Sequence, residues 1–290
     1  MIGSHKFRMN SLVAALAIVF FCGPTAPGQA GAGDPNVQKA KDILLKGVAS
    51  GNPDTRQLAV MSASLIGDRS EVLNKLYSML ETDKDVPTRE TIISTLGSFN
   101  NPAVIPALQK ALKDPVPEVE LAAALALFGL KQPDGKAFLL DALSGTQKTT
   151  SSFMSSEKRS LVRMTHTPTT TFLGIVANQF ALPGLGSGME SAVGLSADPA
   201  SMASSSVIFS LAKDKNDPAV WTALENALQD KEWATRAAAV HVVAMHNDPA
   251  LIDKVLPLMD DKKEQVSFRA AAGYIRLYII AHKSQAATGE

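Results

Sequence analysis

The chain has 290 residues, of which 46% are hydrophobic and 6% aromatic, so it is long and apolar enough to form a packed interior. Its 28 Lys and Arg residues balance its 28 Asp and Glu residues. This balance leaves no net basic field to attract phosphate backbones, which argues against nucleic acid as a partner. Abundant Ala and Leu, with few aromatic residues, favour closely packed helices over strands and predict an all-α fold.

The N-terminal segment has the pattern of a secretory signal peptide. Lys6 and Arg8 give it a positive start, residues 12–21 form an uninterrupted apolar run, and small and turn residues follow. That run is about half of the ~20 residues that a stable membrane-spanning helix needs. We therefore predict export to the periplasm or the extracellular space with removal of residues 1–30; a cut after Ala32 fits nearly as well.

Cys22 is the only cysteine, and it lies inside this leader. The mature chain is therefore expected to have no disulfide and no thiolate metal site. Gly23 after Cys22 would suit lipid attachment, but Phe21 is bulkier than the residue that usually precedes a lipidated cysteine. A lipoprotein anchored through Cys22 is the less favoured alternative.

The rest of the chain repeats one pattern, in which Asn or Asp, then Pro, precedes an apolar helix, a polar turn and a second, Ala-rich helix. Helix starts recur near Val37, Arg69, Pro102, Pro133, Pro218 and Pro249. Successive starts lie 32, 33, 31, 85 and 31 residues apart, so one step is anomalous.

The start of each first helix has a chemical cause. Asn101, Asp217 and Asp248 each place a capping side chain before a Pro at the first helical position, where its missing N–H is not needed. Within the third unit, apolar residues recur at steps of three and four. A single hairpin cannot bury such a stripe, so the copies must stack.

The segment 101–130, NPAVIPALQKALKDPVPEVELAAALALFGL, resembles a HEAT repeat and is similar to the PBS-lyase subtype of that family. The marks of the family are the Pro inside the first helix, here Pro106 and Pro257, and the Asp-x-x-x-Arg type of start of the second helix. With its leader, the chain looks like an exported bacterial form. The resemblance implies an α-solenoid of about six HEAT-type helical hairpins, with one long insertion in the fourth.

The resemblance also implies a ladder of hydrogen bonds between neighbouring units, made by an Arg near the start of each second helix. Arg56, Arg89, Arg236 and Arg269 would fill that structural role here. Val119 stands at the corresponding position of the third unit, which predicts a break in the ladder.

The anomalous step contains roughly 54 residues beyond a repeat unit. They separate the first helix of the fourth unit, 133–143, from its second helix, 199–212. The predicted organisation is a signal peptide at 1–30, an N-terminal half of the repeats at 37–143, an insertion at 144–198 and a C-terminal half at 199–283.

The insertion begins rich in Ser, Thr and Gly and continues as an apolar helical hairpin, which is too apolar for simple disorder. Pro183 and Glu190 interrupt the apolar run and argue against a spanning helix. Three roles remain open: covering a face of the array, binding a protein partner, or contacting a membrane from one side. The candidate partner-binding side chains are Phe172, Ile175, Phe180, Leu182, Leu185 and Met189 in the insertion, and Trp221 and Trp233 outside it.

Motifs for chemistry are weak throughout. The glycine-rich stretch 184–188 lacks the third Gly of a dinucleotide site and follows no predicted strand. Ser155 and Lys158 match S-x-x-K without its companion motifs, and the histidines form no HExxH pattern. We predict no catalytic residues, no metal and no cofactor.

These observations favour a non-catalytic exported scaffold or adaptor that binds a protein partner through the concave surface of its second helices, through the insertion, or through both. A membrane-peripheral protein is the first alternative. The second is a bilin-lyase-like enzyme, which rests on the resemblance alone and is disfavoured because an exported protein would not meet a cytoplasmic substrate.

Overall fold

The computed structural model describes residues 34–99, 101–144, 207–211 and 217–287. Over these ranges every regular element is helical, which confirms the all-α prediction. The helices are α1 Pro35–Val48, α2 Pro53–Ala63, α3 Ser70–Thr82, α4 Val86–Ser98, α5 Ile105–Ala111, α6 Pro117–Gly129, α7 Pro133–Ser144, α8 Pro218–Ala227, α9 Trp233–His246, α10 Ile252–Val255 and α11 Glu264–Ala287. Residues 207–211 are also helical, whereas the predicted signal peptide and nearly all of the insertion lie outside the described residues.

Capping side chains begin several of these helices. The side-chain oxygens of Asn101, Asp217 and Asp248 accept hydrogen bonds from the backbone N–H two residues on, at 2.8, 2.8 and 3.0 Å. Helix α1 begins at Pro35, two residues ahead of the predicted start, because Asp34 caps it in the same way. Side-chain capping therefore explains why these helices begin at Asn-Pro or Asp-Pro sequences, as predicted.

The two prolines inside first helices change the local helix type. Pro106 is preceded by the 3-10 turn Pro102–Val104, and Pro257 lies within the 3-10 turn Leu256–Asp260. A proline has no N–H to donate to the carbonyl four residues earlier, so the α-helical ladder is interrupted there. Both first helices are consequently short.

The hairpins are numbered here in chain order: unit 1 is α1–α2, unit 2 α3–α4, unit 3 α5–α6, unit 5 α8–α9 and unit 6 α10–α11, while α7 begins unit 4. The second helices pack on one another in the order α9, α11, α2, α4, α6, and α7 packs on α6. Helix α11 also packs along α1. The array therefore runs from unit 5 through unit 6 to unit 1 and on to α7, and this order differs from the order along the chain.

Unit 4 is divided between the two sides of this order. Helix α7 packs on unit 3, whereas the helical residues 207–211, which fall within the predicted second helix at 199–212, lie beside unit 5. Phe209 is buried, and its ring lies edge-on to that of His241 on α9, with 5.7 Å between the ring centroids. The insertion thus separates two parts of unit 4 that contact different units.

A single apolar core runs through the stacked hairpins. The second helices are buried on nearly all sides: residues 91–97 of α4, 237–240 of α9 and 268–275 of α11 are all buried. Their Ala-rich sequences allow close helix contact. Few side chains of the second helices are therefore accessible to a partner on the concave surface, where the sequence analysis predicts binding.

Two glycines mark the closest helix approaches. A Cβ on Gly47 of α1 would lie 2.7 Å from the Cβ of Ala59 and 2.7 Å from Cζ of Phe268. A Cβ on Gly135 of α7 would lie 2.5 Å from the backbone N of Phe128. Only glycine permits α11 to approach α1, and α7 to approach α6, this closely.

Candidate interaction surface

Three of the four predicted ladder arginines bind an Asp of the next unit in the packing order. Arg56 donates from Nε and Nη2 to the two carboxylate oxygens of Asp83, at 2.7 and 2.9 Å. Arg236 binds Asp261 with the same fork, at 2.7 and 3.0 Å, and Arg89 pairs with Asp114. Each pair, called a rung from here on, joins two neighbouring units.

Each rung Asp has a second role in its own turn. Oδ1 of Asp83 accepts a hydrogen bond from the backbone N–H two residues on, at 2.9 Å, and so do Oδ1 of Asp114 and Oδ1 of Asp261. The carboxylate is therefore fixed by its turn before it meets the guanidinium, which reduces the entropy lost on pairing. We call this residue the turn Asp. The sequence analysis did not identify it, although the pattern Asp-x-(Asp/Val/Lys) recurs at the end of the first helix in these three units.

The junction between units 6 and 1, called the 6–1 junction, lacks this rung among the described residues. The position of the turn Asp is taken in unit 1 by Ser50, whose Oγ accepts from the N–H of Asn52 at 3.1 Å. A serine cannot replace the carboxylate as a charged acceptor.

The prediction that Arg269 is the ladder arginine of unit 6 is wrong. The rung arginines lie six residues after the turn residue, and six residues after Asp261 stands Ser267, whose hydroxyl donates to the carbonyl of Met259. Arg269 donates instead to the carbonyl of Gln265 in its own helix at 2.6 Å and is only 2% exposed.

Other polar contacts join units 6 and 1. The hydroxyl of Thr55 donates to Glu264 at 2.9 Å, and the hydroxyl of Tyr274 donates to Asp34 at 3.1 Å. Arg276 donates from Nη1 to the carbonyl of Leu65 at 2.8 Å. This junction is held by scattered bonds and by the packing of α11 on α1 and α2.

Val119 was predicted at the rung position of unit 3, but the residue six positions after the turn Asp114 is Glu120. Val119 is fully buried, and Thr88 and Thr235, one residue before the rung arginines of units 2 and 5, are buried as well. Nearby, the pKa of Glu120 is raised by partial burial and by the charge of Asp114. The following junction, between α6 and α7, instead depends on the close approach at Gly135.

Protonation is perturbed at one rung. Partial burial acts to raise the pKa of Asp261, but the hydrogen bonds from Arg236 and from the N–H of Lys263, with their positive charges, outweigh it and lower the pKa. Asp261 is therefore a carboxylate at neutral pH and well suited to pair with Arg236.

The three histidines among the described residues take part in packing. Burial, and then the charges of Arg269 and Arg276, lower the pKa of His241 to about 3, so its ring is neutral at pH 7. The ring of His246 lies against that of Trp221, and Nδ1 of His282 lies 2.8 Å from the carbonyl of Tyr278 in its own helix. No group of His, Cys, Asp or Glu that could hold a metal ion occurs within the described ranges.

The two tryptophans predicted as anchors lie within unit 5. Trp221 of α8 is partly exposed, and its ring centroid lies 4.0 Å from that of His246. Trp233, the first residue of α9, is partly buried against the core. The six candidates in the insertion lie outside the described residues, and so do Ser155, Lys158 and His166. Those six are Phe172, Ile175, Phe180, Leu182, Leu185 and Met189.

The first helices present polar faces to solvent. Ion pairs cross between neighbouring units on this side, at 2.6 to 2.9 Å: Lys39 with Asp260, Glu81 with Lys110, and Glu225 with Lys254. The side chains are 41–70% exposed. Pairs this exposed add little stability, and balanced charge of this kind is typical of a solvated face.

Large apolar side chains are exposed on the α6–α7 hairpin. Phe128 near the end of α6 is 43% exposed, and Leu140 of α7 is 54% exposed. We call this hairpin the α6–α7 edge. The sequence analysis missed both residues, because Phe128 stands in an apolar run and Leu140 beside two other apolar residues, so periodicity alone did not mark them as outward-facing.

Within the part of the chain that the structure describes, no helix is both long enough and apolar enough to cross a membrane.

Comparison with known proteins identifies the repeat. Residues 73–150 match a family model described as HEAT repeats, and this match spans most of unit 2, all of unit 3 and α7. No curated protein matches the chain. The PBS-lyase subtype and the exported bacterial form remain predictions.

Two solved structures are similar to the chain over most of their length. An engineered protein from the Northeast Structural Genomics Consortium has 14% identity, covers 84% of this chain and 97% of its own, and has a TM-score of 0.25. A designed armadillo repeat protein has 14% identity, covers 83% and 99%, and has a TM-score of 0.25. These TM-scores are too low to support an inference, so the fold rests on the packing of the hairpins described above. The matched segment confirms the resemblance drawn from the sequence: residues 73–150 are HEAT repeats, and the described hairpins on either side pack in the same repeating way.

Proposed function

We propose that the chain is an exported, non-catalytic scaffold that binds a protein partner at the α6–α7 edge. HEAT-type repeats are a scaffold suited to protein interaction, because stacked hairpins offer extended surfaces without a catalytic constellation. The single observation that carries the proposal is the exposure of Phe128 and Leu140 on this hairpin.

The edge differs from the other solvent-facing surfaces of the array. The first helices are crossed by exposed ion pairs, which are energetically weak. Binding energy at protein interfaces is concentrated in a few apolar and aromatic side chains that become desolvated. Phe128 and Leu140 supply such groups, because 43% and 54% of their surfaces are exposed, and α7 is the last helix in the packing order of the described residues.

The binding proposal is tested with the double variant F128S/L140S. A matched control is L45S, because Leu45 of α1 is also exposed, at 42%. Each protein serves as bait for cross-linking and quantitative mass spectrometry of cell-envelope extracts, after circular dichroism has shown that it is folded. We expect recovery of the partner to fall at least about tenfold for F128S/L140S and to be unchanged for L45S. Equal recovery with all three proteins would show that the edge does not bind.

The predicted leader supports export as part of the proposal. Mass spectrometry of the protein recovered from its native cell should find the N-terminus after Ala30 or Ala32. A cytoplasmic protein that retains Met1 would contradict export. A lipid-modified peptide beginning at Cys22 would support the lipoprotein alternative.

The insertion is the other candidate contact surface, and membrane contact through it remains a prediction. Liposome flotation of the chain with and without residues 172–195 separates the two roles. Flotation that is lost with the deletion supports membrane contact. Absence of flotation in both proteins removes that alternative and leaves protein binding and covering a face of the array.

A further inference from the structure

Among the described residues, unit 4 is the hairpin whose two parts lie at opposite ends of the packing order. In units 1, 3 and 5 the first helix packs on the second helix of its own unit. Helix α7, the first helix of unit 4, packs on α6 of unit 3, whereas residues 207–211, within its predicted second helix, lie beside α9 of unit 5. Each end of this order therefore carries one part of the same repeat.

The burial of Leu139 shows that α7 lacks part of the usual cover. Counted from the Pro at which each first helix or its leading 3-10 turn begins, Leu139 corresponds to Leu108 of unit 3 and Leu224 of unit 5. Those two leucines are 0% and 1% exposed, whereas Leu139 is only partly buried. A face that is covered in the intact hairpins is therefore incompletely covered in α7.

Leu140, the next residue, stands at a position that contacts the following unit elsewhere in the array. In the same count it corresponds to Gln109 of unit 3 and Glu225 of unit 5. Gln109 donates to Asp134 on α7 at 2.5 Å, and Glu225 pairs with Lys254 on α10 at 2.9 Å. Leu140 therefore occupies the position that would meet α8, the next first helix, if the packing continued beyond α7.

Helix α8 carries small apolar side chains at the two positions that such a contact would use. The partners of Gln109 and Glu225 stand one and five residues after the Pro of their units, and in unit 5 these positions are Ala219 and Ala223. Both alanines are exposed. Where the other junctions form polar pairs, α7 and α8 would therefore bring a leucine against alanines.

Val207 adds an apolar group at the same end of the packing order. Phe209 is buried against α9, and Val207 lies two residues earlier, about 200° away around the helix. Val207 therefore faces away from unit 5, and it is 57% exposed. We call Val207, Ala219 and Ala223 the unit 5 end.

The two ends are complementary, but they do not cover each other within one chain. Leu140 is 54% exposed and Val207 57% exposed in the single molecule. A second copy, placed where the packing order continues, would bury Leu140 against α8 and bring residues 207–211 to α7. The apolar surface thereby removed from water would favour the contact.

We propose that the α6–α7 edge binds the unit 5 end of a second copy of this chain, so that unit 4 is completed between two molecules. The inference rests on the proposed function and names the partner of that edge. The contact is head-to-tail, because two different surfaces meet, and each molecule keeps one end free for a further copy.

The test is sedimentation velocity of the purified protein between about 1 and 100 μM. We expect the weight-average mass of the wild type to at least double, roughly, over this range, as for a contact of micromolar affinity. L140E places a charge on the edge, and A223E places one on the unit 5 end. Each variant alone should stay monomeric, because a buried, unpaired carboxylate opposes the contact.

A mixture of the two variants distinguishes a head-to-tail contact from other kinds of association. L140E keeps an intact unit 5 end and A223E keeps an intact edge, so an equimolar mixture should form a dimer and nothing larger. The matched control is L45E, because Leu45 of α1 is also exposed, at 42%, and should leave association unchanged. Circular dichroism checks each fold, and V207E replaces A223E if that variant does not fold.

Three results would overturn the inference. They are a wild type that stays monomeric, variants that associate as the wild type does, and an A223E protein that associates alone while L140E does not, which would mean that two edges meet. A monomeric wild type would leave the proposed function to be decided by the recovery of another protein with F128S/L140S. The two ideas can therefore fail separately.

Discussion

The junctions joined by a rung and the 6–1 junction solve the same packing problem with different chemistry. At the junctions between units 1 and 2, 2 and 3, and 5 and 6, an Arg of one unit pairs with an Asp of the next. A backbone N–H in the turn that contains the Asp already holds its carboxylate in place. At the 6–1 junction Ser50 replaces that Asp, and helix packing with scattered polar contacts joins the two units. The comparison shows that hairpin stacking survives the loss of a rung when the helices themselves fit closely.

The largest expected effect comes from breaking a rung. D83A removes the partner of Arg56 and the acceptor that fixes its turn, and both side chains are largely buried, at 14% and 9% exposure. We expect a loss of about 3 kcal/mol in the free energy of unfolding, because a mostly buried guanidinium is left without its counter-charge. Urea unfolding measures it. The matched variant S50A at the 6–1 junction should cost less than about 1 kcal/mol, since Ser50 only caps its turn. Equal losses would show that the rungs do not distinguish the junctions.

The next effect tests the close fit of the 6–1 junction. G47A places a methyl group against Ala59 and the ring of Phe268, so α11 must move away from α1. We expect a loss of about 2 kcal/mol from overpacking. The control is G51A, where an added Cβ meets nothing within 4 Å. A G47A protein as stable as the wild type in thermal unfolding would contradict the proposed tight contact.

Two groups at the junction between units 5 and 6 make the stability depend on pH. The pKa of His241 is lowered from 6.5 to about 3, so between these values the unfolded chain binds the proton and the folded chain does not. Stability should therefore fall as pH falls from 6.5 towards 3, by about 1 kcal/mol per pH unit near the middle of this window. H241Q should flatten that slope in urea unfolding series.

The rung at Asp261 loses its contribution to stability at a lower pH than His241 does. The pKa of Asp261 is lowered from 3.8, so its contribution is present above that value and is lost as pH falls through the folded pKa. A wild type whose stability is constant from pH 6.5 to 4 would contradict the role of His241 and leave that of Asp261 intact.

The smallest expected effect concerns the exposed ion pairs. Lys39 and Asp260 join units 1 and 6 at 2.7 Å, but both side chains are well exposed. K39A should change the free energy of unfolding by no more than about 0.5 kcal/mol. A loss comparable to that of G47A would mean that charge, and not packing, holds the 6–1 junction.

Sequence reasoning predicted the repeat because its cause is local. The caps at Asn101, Asp217 and Asp248 and the helix-interrupting prolines act within a few residues, so each can be read from the chain. The order in which the units pack could not be read in this way. All the hairpins have similar apolar stripes, and nothing in the stripe of α11 specifies α1 as its neighbour. Gly47 lies against Phe268, but the sequence does not show that these two residues are in contact.

The candidate sites were harder to predict for the same reason. Phe128 and Leu140 are apolar residues in apolar helices, so their exposure depends on what packs against α6 and α7. A sequence pattern predicts which side chains share a face of a helix, but it does not predict which face another helix will cover.

Arg269 was predicted to continue the ladder because it stands near the start of a second helix, but it lies eight residues after the turn Asp261. Arg89 and Arg236, by contrast, lie six residues after Asp83 and Asp230. The turn that sets this spacing was not recognised in the sequence.

The packing order has a consequence for how the protein is made. Residues 264–287 are synthesised more than 200 positions after residues 35–48, and yet α11 is the direct neighbour of α1. The first hairpin to leave the ribosome must therefore keep one apolar face uncovered until α11 has been synthesised, a long wait during which chaperones and proteases can act on it. Within the described residues, loss of α11 would remove the middle of the packing order and separate unit 5 from unit 1, whereas loss of α7 would remove only the helix at one end of that order.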